Sequence, residues 1–197
     1  MDKIQKKASQ IAQKWITDDE LNKYLLEVIK MQQSHFEKNK DLHGLMPELH
    51  VLGIKDPEDG GKRPITLMVL AGGGFDEHKH EIIRGIGMKF AQEGQHNAVA
   101  VFMVAEAWMR RYGKDEDLSK FPSEHDDKQE ILMISGLSID KRTNMASVVM
   151  KRDKDNIVSL GKETIQACNG KIKLESYILM RFFEGYSLGM IKKSTAN

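Results

Sequence analysis

The sequence predicts an α+β domain: a mixed, largely antiparallel sheet with one crossover helix, two amino-terminal helices and one carboxy-terminal helix packed on it. Three observations carry this. The stretch Ala98 to Met109, AVAVFMVAEAWM, is apolar in nearly every position, the pattern of a strand covered on both faces. Helical spacing of apolar residues dominates both ends of the chain. Between them, short runs rich in β-branched residues alternate with turn residues.

Residues 3 to 16 place Ile4, Ala8, Ile11, Ala12 and Trp15 on one helical stripe with Lys and Gln outside. Thr17 and Glu20 then have the spacing of a capping box that starts a second helix. Its buried stripe is Leu21, Tyr24, Leu25, Val28, Ile29 and Phe36, interrupted by Met31, Gln32 and Gln33, and it frays near Asn39. A helical segment over 1–40 results.

From Leu49 the period becomes that of a strand, ELHVLGI, and the turn-rich segment 55–62 leads to a second strand over 65–71. Pro64 suits that strand's first position, where no ladder donor is needed. Phe75, Ile82, Ile83, Ile86 and Phe90 mark a helix with Asp76 as N-cap, ended by Gly94 or Asn97. Gly85 and Gly87 inside it each cost about 1 kcal/mol against alanine, which points to close packing on the sheet. The order strand, helix, strand implies a right-handed crossover between parallel strands.

After the central strand, 110–128 forms a long polar loop. Strands follow at Ile131–Leu137, Met145–Met150 and Ile157–Leu160, so the sheet spans 49–161. The last helix covers 171–190 and is apolar over more than half its circumference, as a well-buried helix or a subunit contact would be. The tail from Lys192 is expected to be mobile.

Thirty basic residues against 29 acidic ones give a net charge of +1, so no global field draws the chain to nucleic acid or a membrane surface. The amino terminus lacks the apolar core of a signal peptide, and no apolar run approaches the length of a membrane helix. One cysteine, Cys168, cannot form an intramolecular disulfide. Together these point to a soluble protein of a reducing cytoplasm.

Strand direction locates a site. The ends of the second and central strands and the start of the strand near Gln129 share one edge of the sheet, with the 110–128 loop beside them. Glu106 and Trp108 stand there with Glu124 and His125, and these four are the candidate ligand-binding residues. The structural alternative for Glu106 is a backbone hydrogen bond or a pairing with Arg110 or Arg111.

Three chemistries can be weighed at this edge. A divalent metal would need Glu106, His125 and one of Asp126, His78 or His80, but His78 and His80 are two residues apart and diverge on a helix. Phosphate binding at Gly72–Gly74 lacks both GxGxxG and GK[ST], and Asp76 and Glu77 repel an anion. Neither Ser123 nor Cys168 carries a nucleophile signature. No cofactor and no metal site is therefore expected, and no catalytic residue is assigned.

Glu106-Ala107-Trp108, then Pro122-Ser123-Glu124-His125, then Gln129-Glu130-Ile131 resembles a pattern of uncharacterised bacterial and phage proteins. The resemblance covers residues 98 to 137. It implies a microbial or phage cytoplasm and no activity. The leading expectation is a non-enzymatic binding or interaction protein with an unknown protein or small-ligand partner. A metal-dependent hydrolase using Glu106 and His125, and a homo-oligomeric assembly component, are the alternatives.

Overall fold

The computed structural model describes residues 16–39, 44–54, 62–68, 75–93, 97–110, 119–168 and 174–195. Its order is α1 (Asp18–Lys38), β1 (Glu48–Ile54), β2 (Lys62–Met68), α2 (Phe75–Glu93), β3 (Asn97–Met109), a 3-10 turn (Pro122–Glu124), β4 (Gln129–Ser138), β5 (Thr143–Arg152), β6 (Val158–Cys168) and α3 (Leu174–Thr195). The fold is α+β. The helix expected over residues 3 to 16 falls almost entirely outside the described residues.

Six strands form one sheet in the order β2-β1-β3-β4-β5-β6, and every pairing is antiparallel. Here the structure corrects the expectation of a mixed sheet. β2 and β3 run the same way, but β1 lies between them, so the parallel neighbours implied by the strand-helix-strand order do not form. The hairpin partner β1 occupies the place beside β3 and leaves β2 on the edge. Pro64 is the third residue of β2, opposite Leu52, and an edge strand tolerates it because one side of the ladder is unused.

Burial alternates between two layers, as side chains on a strand must. On one face α1 packs Leu21, Leu25, Val28, Ile29 and Phe36 against Phe102, Val104, Leu132, Ile134 and Val148. On the other, Ile83 and Ala91 of α2 and Leu179, Phe182 and Tyr186 of α3 cover Leu49, Val51, Ala98, Val101 and Leu137. β3 is thus apolar on both faces because both are covered.

α1 begins as its sequence demands. The Thr17 hydroxyl accepts from the Glu20 amide at 3.2 Å, and the Glu20 carboxylate accepts from the Thr17 amide at 2.7 Å. Gln32 does not interrupt the stripe but belongs to it. Buried with Glu48 and His50, it donates from Nε2 to Glu48 Oε2 at 2.6 Å, while His50 Nε2 lies 2.9 Å from the same oxygen. That network satisfies the two polar residues that break the apolar pattern of β1. The His50 hydrogen bond, then that of Gln32, holds the Glu48 carboxyl below its ordinary range against the opposing effect of burial.

The glycines of α2 have a different partner from the one expected. A Cβ on Gly87 would overlap the Phe182 carbonyl of α3, and Cβ atoms on Gly185 and Gly189 would overlap the Arg84 and Met88 carbonyls of α2. The two helices touch backbone to backbone. Gly85 faces open space. Other boundaries also move. Asp76 is the second residue of α2 instead of its cap, β6 extends to Cys168, and α3 continues through Lys192 to Thr195 where a mobile tail was expected.

Candidate functional site

The register places the expected edge. Glu48 opposes both Met68 and Val104, so the end of β2 and the start of β1 lie toward the carboxyl end of β3, where β4 begins. Glu106 and Trp108 have the parity of Phe102 and Val104 and therefore stand on the α1 face, opposite Leu132 and Glu130 respectively. α1 does not cover this end. The face is open here, and Trp108 is 45% exposed.

The end of the loop folds back onto it. Pro122 starts a 3-10 turn whose first amide is satisfied when Glu124 Oε2 accepts from the Phe121 amide at 2.7 Å. His125 is half-buried in the following turn, its amide donating to the Pro122 carbonyl at 3.3 Å. Lys128 closes the arrangement. Its ammonium donates to the Ser123 carbonyl at 2.7 Å and sits 4.9 Å from the centroid of the Trp108 ring. Trp108 and the 122–128 turn are thereby joined through Lys128, a residue that the sequence reading did not select.

Glu106 has a different task. Its Oε1 accepts from the Leu45 amide at 2.6 Å, and its Oε2 lies 3.5 Å from Arg152 Nη2. The carboxylate ties the segment that leaves α1 to β3 and β5. The backbone donor of its structural alternative is present in Leu45, the nearby cation is Arg152, and Arg110 pairs with Asp127 at 2.5 Å. Arg152 also forms a bidentate pair with Glu130, Nε to Oε2 at 2.6 Å and Nη2 to Oε1 at 2.5 Å, which raises the guanidinium pKa further. The Arg110 hydrogen bond in turn holds Asp127 below its ordinary range.

Beside these groups lies an open depression of about 460 Å³ lined by Met109, Arg110, Asp127, Lys128, Gln129, Glu130 and Met150. Immediately before the 3-10 turn, Phe121 is 74% exposed. Met109 opposes Gln129 across the ladder, which brings these two lining residues together. Phe121 could have been found as the aromatic residue next to Pro122 in a mostly charged loop. Lys128 and Arg152 needed the register.

The residues weighed for metal do not converge. Among the described residues no three His, Cys, Asp or Glu side chains are grouped to hold an ion. Gly72–Gly74 and residues 111–118 lie outside the described residues, as does the Cys168 side chain. No helix among the described residues is long and apolar enough to cross a membrane. Comparison with known family models, curated proteins and solved structures finds no match.

Proposed function

We propose that the chain is a non-enzymatic binding protein whose partner docks on the β3–β4 end of the sheet. The observation that carries this reading is the exposure of two large aromatic residues, Trp108 on β3 and Phe121 at the start of the turn that leads into β4. Large aromatic residues supply contact area at low conformational cost, and with Arg they dominate the centres of protein interfaces. Around them stand charged groups that already have partners: Arg110 with Asp127 and Arg152 with Glu130. Such pairs suit an interface rim, where they fix orientation.

Glu124 and His125 support this surface by shaping the turn that carries Phe121. Glu106 supports it from beneath, through Arg152 and Leu45. In this reading none of the three needs to act on a reacting bond. The hydrolase alternative would require Glu106 to leave the Leu45 amide and Arg152, and among the described residues no grouping of ligands favours it.

The test compares tagged wild-type protein with the Trp108→Ala/Phe121→Ala chain in cell extract of its native source. A protein or small molecule retained in stoichiometric amount by the wild type and lost by the variant is the expected result. Equal retention by both, with matching thermal melts, would refute the assignment.

A further inference from the structure

Whether a methionine is oxidised depends on where its thioether stands, because the oxidant must reach the sulfur. Among the described residues Met31, Met46 and Met190 are exposed, Met31 at 46%, whereas Met150 is closed into the core at 4%. Of the three exposed ones, Met31 also lines a small apolar pocket of about 30 Å³, together with Tyr24 and Val28 of α1 and His50, Leu52 and Phe102 of the sheet. It is thus open to solvent and at the same time part of the seal between α1 and β1. The pocket borders the buried polar cluster that ties these two elements together. Gln32, the next residue along α1, donates to Glu48 Oε2 at 2.6 Å, and His50 in the pocket wall lies 2.9 Å from that same oxygen.

We propose that Met31 is a site of reversible oxidation by hydrogen peroxide, and that its sulfoxide loosens the seat of α1 on β1. The Met31 sulfur attacks one peroxide oxygen, so that an S–O bond forms as the O–O bond breaks. Sulfur is oxidised by two electrons, and the departing hydroxide takes the proton of the new sulfur-bound hydroxyl and leaves as water. The product carries a polar S–O group where a flexible apolar side chain stood. A small apolar pocket cannot hydrate that oxygen, and burying it without a donor costs free energy, so the oxidised side chain turns outward. Val28, Leu52 and Phe102 then lose its cover, and water gains a path toward His50 and Glu48. Reduction of the sulfoxide restores the thioether and with it the seal. This site shares no residue with the docking surface and stands or falls without it.

Treatment of the full chain with dilute hydrogen peroxide, followed by peptide mass mapping and thermal melts, tests the proposal. Met31 should gain one oxygen well before Met150 does. The thermal midpoint should fall as Met31 is oxidised, by about 2–4 °C for a chain of this length, and return after treatment with the reductases for both sulfoxide epimers. Met31→Leu keeps an apolar side chain of similar size and should hold its midpoint under peroxide, although Met46 and Met190 are still oxidised. The Met46→Leu/Met190→Leu chain should show the full fall, which keeps the test intact if Met31→Leu folds poorly.

A Met31 that is oxidised no faster than Met150 overturns the proposal. So does complete oxidation of Met31 with an unchanged midpoint, or an equal fall in the Met31→Leu chain.

Discussion

Replacing Glu106 by alanine separates its structural task from any direct role in binding. The substitution removes an ionised acceptor 2.6 Å from the Leu45 amide and a carboxylate 3.5 Å from Arg152. A hydrogen bond to a charged group contributes about 1.5–3 kcal/mol. The Arg152 pair adds about 0.5 kcal/mol, because both side chains keep roughly a quarter of their exposure and water screens them. Glu106→Ala should therefore cost about 2–3.5 kcal/mol. For a chain of this length that is a fall of about 4–14 °C in the thermal midpoint. Glu106→Gln keeps a carbonyl oxygen for Leu45 and should lose only about 1 kcal/mol. Urea unfolding gives the energies, and hydrogen exchange at the Leu45 amide reports the contact itself. An alanine variant with an unchanged midpoint and a still-protected Leu45 amide would refute the assignment. The graded order, alanine worse than glutamine, is what a purely electrostatic role for Glu106 would not produce.

Two further predictions concern the two faces of the sheet. Gly185→Ala puts a methyl group into the Arg84 carbonyl and should destabilise the protein by about 1–3 kcal/mol, whereas Gly85→Ala, facing open space, should stabilise it by up to about 1 kcal/mol; equal effects in thermal melts would dismiss the backbone contact. Because the folded-state pKa of Glu48 is depressed below 4.5, the unfolded chain takes up its proton first as pH falls. The stability that Glu48 contributes is full above that value and is lost as pH drops through the lower folded pKa. Glu48→Gln should flatten this acid-side loss, and urea midpoints that fall as steeply in the variant as in the wild type would contradict it.

The fold was legible where one residue's neighbours in sequence determine its state. The Thr17–Glu20 cap, the stripe of α1 and the double-sided burial of β3 all depend on local spacing, and each is present. What eluded sequence reasoning depends on partners far along the chain. Gln32 reads as a break in an apolar stripe until Glu48, 16 residues away, supplies its acceptor. Gly87 reads as a sheet contact until the helix carrying Gly185 and Gly189 is laid beside it. The extension of β6 through Gly161, Lys162 and Glu163 is hidden because an edge strand pairs on one side only and needs no apolar run.

The candidate site divides in the same way. Strand direction alone located the correct edge for Trp108 and the 122–128 turn. It could not show that Arg152, from a strand two places across the sheet, would reach Glu106 and Glu130. An acidic residue near a strand end looks alike whether it faces solvent, a cation or an amide, and only the register distinguishes them.

The glycine seam between α2 and α3 has a mechanical consequence. At the glycines themselves, carbonyls of one helix lie against Cα atoms of the other with no side chain between that could change rotamer, while Phe90 packs on Phe182 and Tyr186 beside the seam. The pair behaves as one stiff slab on its side of the sheet. On the opposite side α1 meets the sheet through side chains, with a small apolar pocket of about 30 Å³ between Tyr24, Val28 and Met31 of the helix and His50, Leu52 and Phe102 of the sheet. The two faces therefore differ in what they tolerate: an enlarged side chain on the α1 side meets neighbours that can repack, whereas one at the glycine seam must displace a backbone.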